Sequence, residues 1–170
     1  MAAQGSEQFF EIVKRHQAPA CRIARALLDS EADAREVSQQ AFVRLFKSHK
    51  PGAGAYSFAG FYRILIALCI NRKRRGKGLR RLLPMGGSGY DPDQPGIEQG
   101  EFSGSLEEAL MRLSANQRLA VLLPVQEGFS SRELAGALNC SENAARVHMY
   151  RGMTALEKLL GKDSDARRPS

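Results

Sequence analysis

The sequence predicts an all-α chain: two small helical modules joined by a flexible linker. Three observations carry that prediction. Apolar residues recur at helical spacing along most of the chain, while runs of alternating apolar and polar residues, the mark of a half-buried strand, are absent. The composition changes between Gly76 and Gly104, a stretch holding eight of the sixteen glycines and three of the seven prolines. That density ends regular structure and leaves too little apolar surface for a packed core. A chain of 170 residues has room for one or two small domains. The expected division is therefore a helical domain at 1–75, a linker at 76–104, a second helical domain at 105–162 and a disordered tail at 163–170.

Phe9, Phe10, Ile12 and Val13 open the first helix, and Ile23, Ala24, Leu27 and Leu28 either continue it or follow a break near Pro19. Ser30 offers an N-cap for the next, with Asp33 near the positive end of the helix dipole. Val37, Ala41 and Leu45 recur every fourth residue, with Phe42 and Phe46 widening the stripe, and Asp33, Glu36, Gln39, Gln40 and Arg44 make the opposite face polar. A turn through Lys50-Pro51-Gly52-Ala53-Gly54 leads to a helix with Phe58, Phe61, Tyr62, Leu65, Leu68 and Cys69 on one side, which runs into Arg72-Lys73-Arg74-Arg75.

The C-terminal module is punctuated by serines. Ser105 with Glu108, Ser114 with Gln117, and Ser130 with Glu133 have the capping-box spacing, and Ser141 serves as a plain N-cap. Closely spaced starts mean short helices, and Pro124 is expected to end or kink its own. From Ser130 to Leu138 a short helix turns Leu134, Ala135 and Leu138 inward; Asn139-Cys140-Ser141 makes a tight turn; a longer helix follows from Glu142 to Leu160. That is the helix-turn-helix pattern, whose second helix reads base edges in the major groove. Its outward side offers Asn143, Arg146, Val147, His148 and Arg151, beside Arg132 of the first helix, while Ala144 and Ala145 are small enough for close packing.

Charge is segregated along the chain. The net value is +7, yet residues 51–83 hold eight basic residues and no acid, and residues 84–109 hold six acids and no base. The first segment suits a polyanion, or else a well-solvated helix. It also holds Tyr56, Phe58, Phe61 and Tyr62; aromatic faces beside a cationic groove hold single-stranded nucleic acid by stacking. Phe58, Phe61, Tyr62 and Leu65 share a helical face and belong to the core, which leaves Tyr56 as the aromatic placed to meet an unstacked base.

Other classes are disfavoured. The longest apolar runs are seven residues, against about 20 for a membrane span, and no secretory signal is visible. Cys21, Cys69 and Cys140 form no CxxC pair, and His16, His49 and His148 have no ligand-spaced neighbours, so neither a disulfide framework nor a metal site is supported and no cofactor is expected. GxxxxGK[ST], HExxH and GxSxG are missing, which argues against an enzyme. A reducing, cytoplasmic setting fits best.

In this order the motifs resemble the two-domain, extracytoplasmic-function type of bacterial RNA polymerase sigma factor. The stretch Asp33 to Arg44 resembles the family's core-polymerase-binding helix, and Tyr62-Arg63-Ile64 with the basic run its promoter-melting, −10-reading helix. Leu113-Ser114-Ala115-Asn116-Gln117-Arg118 resembles Leu-Pro-x-x-Gln-Arg, and Gly128 to Leu156 the −35-reading helix-turn-helix. Departures are Gly60 in place of Trp, Ala67 in place of Asn, Asn71 in place of Asp, and Val147 and His148 in place of Ser and Arg. The resemblance implies a region 2-like bundle followed by a region 4-like domain, with core RNA polymerase, promoter DNA and an anti-sigma factor as partners. Polymerase contact falls to Asp33, Glu36, Gln39, Gln40 and Arg44; the −10 region to Tyr56, Arg63, Arg72, Lys73, Arg74 and Arg75; the −35 region to Arg132, Asn143, Arg146, Val147, His148 and Arg151. The acidic linker either mimics nucleic acid inside the polymerase or is a solvated tether. Two alternatives stand beside this: a stand-alone helix-turn-helix regulator, and a sigma-like adaptor that has lost promoter melting.

Overall fold

The computed structural model describes residues 2–50, 56–81 and 104–166. Seven helices and no strand occur among them, as an all-α chain requires. Backbone contacts divide the chain into two compact units, Met1–Tyr90 and Asp91–Ser170.

The first unit packs α1 (Ala2–Leu27), α2 (Glu31–Ser48) and α3 (Phe58–Arg81) against one another. α1 passes through Pro19 without the break considered for it. A helix-interior proline costs roughly 3 kcal/mol. Burying Ile23, Leu27 and Leu28 just beyond it returns about 1.5–3 kcal/mol each, so packing decides. Ser30 caps α2, its hydroxyl accepting from the Asp33 N–H at 3.2 Å. The buried stripe is Ala34, Val37, Ser38, Ala41, Phe42 and Leu45, and the Ser38 hydroxyl donates to the Ala34 carbonyl at 2.7 Å. Phe46 and Phe58, both expected inside, are 49% and 39% exposed. Phe46 lies past the edge of its helix's apolar stripe and packs on Phe9 at 4.8 Å between ring centroids, whereas Phe58, the first residue of α3, sits at the open end of its stripe and packs on His16 at 4.3 Å. The core is closed by Phe42 stacked on Phe61 at 4.5 Å, with Tyr62, Leu65, Leu68 and Cys69 behind it.

α3 continues past Arg75 to Arg81, taking residues the composition had assigned to the linker. Residues 82–103 of that linker, the turn at 51–55 and the tail from 167 lie outside the described residues.

The second unit comprises α4 (Leu106–Arg112), α5 (Ala115–Glu127), α6 (Ser131–Leu138) and α7 (Glu142–Ala166). Ser105 and Ser114 accept from the N–H of Glu108 and Gln117, the forward half of a capping box. At Ser130 and Glu133 both halves are made. Pro124 neither ends nor visibly interrupts α5, because it sits in the last turn; the helix stops three residues later, where Gly128 is left-handed at φ 67° and its N–H returns to the Pro124 carbonyl at 3.0 Å. The core includes Ala109, Leu113, Val121 and Leu156. Val125, at the end of the apolar run 119–125, is 77% exposed and lines a surface groove of about 540 Å³ with Leu106, Leu110, Met153 and Leu160. α7 extends to Ala166, into the segment expected to be a disordered tail.

Candidate nucleic-acid interface

The turn between α6 and α7 is set by Asn139. It is left-handed at φ 54°, ψ 49°, a conformation asparagine tolerates better than most residues. The Ala135 carbonyl takes the Asn139 N–H and also the Cys140 N–H at 3.1 Å, closing α6. Two residues on, the Ser141 hydroxyl accepts from the Ala144 N–H at 3.1 Å and starts α7. Both caps are thus made within a three-residue turn, and the helix-turn-helix expected from the sequence is present.

α7 buries Ala145, Gly152 and Leu156 and turns Asn143, Arg146, Val147 and Tyr150 to solvent. At about 100° per residue these four fall within an arc of about 100°, one continuous row from the helix start. Arg146 faces away from Ala145, as its spacing predicts. His148 does not join the row: it is half-buried, turned toward the packed side. Arg151 is exposed but lies about 100° around from Tyr150, at the flank. Arg132 is exposed on α6. Tyr150, 72% exposed, was missed by sequence reasoning, although its position four residues after Arg146 and seven after Asn143 is a signal that helical spacing supplies.

In the first unit the basic set divides. Arg63, Arg74 and Arg75 are exposed on α3. Arg72 is held across the α2–α3 interface, Nη1 lying 3.4 Å from Asp33 Oδ1 and Nη2 2.8 Å from Glu36 Oε2. Lys73 Nζ donates to the Leu27 carbonyl at 3.1 Å, placing a cation at the negative end of α1. The same ammonium favours the thiolate of buried Cys69, yet burial dominates and pushes that thiol up to about 12. Arg72 and Lys73 therefore join helices rather than projecting as open phosphate ligands. Tyr56 is half-buried, its ring stacked on His49 at 4.0 Å and 24°, with Phe9 at 6.1 Å.

Of the polar α2 residues, Gln39, Gln40 and Arg44 are exposed. Asp33 and Glu36 are committed to Arg72, and Glu36 also accepts from Gln40 Nε2 at 3.0 Å. Beside them Val43 and Phe46 leave 51% and 49% of their surface open. Sequence reasoning passed over Val43 and placed Phe46 inside.

The second unit is a helix-turn-helix whose second helix carries an outward row of polar and aromatic side chains, and the first is a helical bundle whose third helix is edged by exposed arginines. The chain belongs to the sigma-70 family, in its extracytoplasmic-function branch: the family model for sigma-70 region 2 matches residues 12–78 and that for sigma-70 region 4 matches residues 103–156. It is similar to the extracytoplasmic-function RNA polymerase sigma factor SigE of Mycolicibacterium smegmatis, 29% identical over 163 residues that cover 91% of this chain and 62% of SigE. The chain thus spans less than two thirds of SigE. SigM of Mycobacterium tuberculosis is 28% identical over 158 residues, covering 90% of this chain and 77% of SigM. Among solved structures, RpoE of Bartonella quintana in complex with the anti-sigma factor NepR superposes with a TM-score of 0.68 at 20% identity, covering 90% of this chain and 96% of that one. CnrH in complex with the cytosolic domain of CnrY gives 0.65 at 23% identity, covering 95% and 96%. No helix among the described residues is long and apolar enough to cross a membrane.

Proposed function

We propose that this chain binds core RNA polymerase and directs initiation at promoters whose −35 element is read by α7 and whose −10 element is met by α3. The observation that carries the reading is the solvent-facing row Asn143, Arg146, Val147 and Tyr150 on the second helix of the helix-turn-helix. Arginine is the commonest reader of guanine in a major groove, and a tyrosine hydroxyl one turn on serves a phosphate or base edge. Arg63, Arg74 and Arg75 supply counterion release on the −10 side. Tyr56 on its His49 platform supplies a flat apolar face for an unstacked base. Polymerase binding is assigned to α2 around Gln39, Gln40 and Arg44, with Val43 and Phe46 as apolar anchors. Buried apolar residues ringed by hydrogen-bonding ones are the usual anatomy of an interface. An anti-sigma factor is a further partner, supported by the Bartonella RpoE relative having been solved with one. The cytoplasm is the proposed setting, and region 2-like and region 4-like roles are assigned to 1–75 and 105–162.

The test is transcription by purified core polymerase supplemented with this chain on a genomic promoter library. Start sites sharing a −10 and a −35 element support the reading. A chain that binds polymerase without yielding transcripts is the adaptor that has lost melting; Gly60 and the exposed Ala67 leave α3 without side chains the family uses there. Binding to duplex DNA with no affinity for polymerase points to a stand-alone regulator.

A further inference from the structure

We infer that Gly152 is a positioning residue for promoter reading, setting the pose of α7 and thereby the bases that its outward row selects. This rests on the proposed reading of DNA by that helix. Gly152 is buried where α7 crosses α5. A Cβ built there would lie 2.8 Å from Val121 Cγ2 and 2.9 Å from the Gln117 carbonyl oxygen, closer than real Cβ atoms come to their neighbours. The two obstacles differ in kind. Val121 can shift its methyl, but the Gln117 carbonyl belongs to the backbone of α5 and cannot turn aside without opening that helix. Val121 packs in the core with Ala109, Leu113 and Leu156 and borders the surface groove, so it is the yielding partner and the carbonyl the fixed one. A methyl at position 152 is therefore accommodated by moving α7 against α5.

The direction of that movement matters because of what else α7 touches. Ala145, fully buried, lies two turns before Gly152 on the same helix face, and α6 packs on α7 as well. α7 is thus seated on two small residues, one near its start and one about 10.5 Å further on at 1.5 Å per residue. Lifting it at Gly152 while α6 holds its start tilts or rolls the helix, and the row from Asn143 to Tyr150 turns with it. Bidentate pairing of Arg146 with a base edge depends on angle as well as distance, whereas flank contacts to phosphates tolerate a small roll. Gly152 therefore acts on selectivity more than on overall attraction to DNA. Helix propensity itself favours alanine over glycine, so any loss on substitution comes from the crossing.

The experiment compares the full chain with Gly152→Ala, each bound to core polymerase, for selection from promoter duplexes randomised in the −35 element; Arg146→Ala is run in parallel. Expected for Gly152→Ala is a flattening of base preference by about tenfold or a change in the preferred bases, at the positions that Arg146→Ala also affects, with low-salt binding to random duplex unchanged. Adding Val121→Ala should recover only part of the preference, since the carbonyl remains. If Gly152→Ala does not fold, Val121→Ile presses on the same contact from α5 and should disturb the same positions. A preference profile unaltered by whichever variant folds overturns the inference, as does an equal loss of affinity for every sequence. A wild-type chain that shows no base preference overturns the −35 reading itself, and this inference with it.

Discussion

Arg118 carries a full charge into the core of the second unit, where it is only 5% exposed. Its guanidinium donates from Nε to the Leu110 carbonyl at 2.7 Å and from Nη2 to those of Met111 and Leu113 at 2.9 and 3.0 Å. These carbonyls lie at the end of α4, where Leu110 also accepts the Leu113 N–H at 3.2 Å, so one side chain closes a short helix and ties it to α5. Arg118→Met should cost about 2–4 kcal/mol, because buried carbonyls lose charge-assisted partners. Arg118→Lys should recover little, since a single ammonium cannot reproduce the fork. Hydrogen exchange of the α4 and α5 amides reads both. Two titratable groups supply pH tests of opposite sign. The Glu133 carboxyl is held below the usual range by the Ser130 backbone N–H and then by the Ser130 hydroxyl. Its contribution to the α6 cap is therefore full above the ordinary glutamate pKa and lost as pH falls through the lowered value. Ser130→Ala should lessen that shift in an NMR titration without abolishing it, since the backbone N–H remains, and cost about 1 kcal/mol as a lost cap. Cys69 is raised from 9.0 to about 12 by burial, against the pull of Lys73. Stability due to its neutral thiol is complete below 9.0 and fades as pH rises toward about 12. At neutral pH, alkylation of the folded chain should spare Cys69 and reach half-buried Cys21 and Cys140 first.

Between elements, the feature to test is the Arg72 bridge. Its guanidinium is 32% exposed and its partners 40% and 54%, so water screens the pairs. A double-mutant cycle of Arg72→Gln with Glu36→Gln should return a coupling of about 1 kcal/mol or less in thermal unfolding. A much larger value would mean that the bridge governs how α2 and α3 dock. The contrast between this bridge and the helix caps explains what was legible in the sequence. Ser30, Ser105, Ser114, Ser130 and Ser141 all start helices because a cap is decided within three residues of itself. The helix-turn-helix was legible for the same reason, being two caps and an apolar pattern in close succession. Arg72, in contrast, meets acids more than thirty residues away, and no local pattern announces which arginine of a basic run turns inward. Pro19 left two outcomes open and Pro124 misled for a related reason: the local penalty is real, but burial of Ile23 and Leu27 beyond one, and the nearness of a helix end for the other, decided the outcome. Phe46 lies at a stripe edge and Phe58 at a helix end, where the neighbouring helices' positions settle burial. Gly152 carries no side-chain signal, so its fit against Gln117 and Val121 exists only once α5 and α7 are packed.

For the whole molecule, the +7 net charge is less informative than which cations remain open to a ligand. Arg63, Arg74 and Arg75 are exposed in the first unit, whereas Arg72 and Lys73 already serve α2 and α1. In the second unit Arg146 lies on the outward row of α7 and Arg151 on its flank. Each phosphate contact to a single strand contributes about 0.7 to the slope of log K against log salt, and each contact to duplex about 0.9. Replacing Arg63, Arg74 and Arg75 together by Gln should therefore lower the slope for polymerase-bound chain on a melted −10 strand by about 2. Arg72→Gln should lower it by much less, because that guanidinium must leave Asp33 and Glu36 to reach a phosphate. Arg151→Ala should reduce the duplex slope by about one unit and weaken all −35 sequences alike. Arg146→Ala should instead erase about 1–3 kcal/mol of discrimination at one or two base pairs. Salt titrations of the four variants on matched and single-base-altered promoters check the whole pattern. A full-sized slope change from Arg72→Gln would show that the bridge opens when DNA arrives. A uniform loss from Arg146→Ala would mean that α7 enters the groove on a different face, with the row from Asn143 to Tyr150 turned toward the backbone.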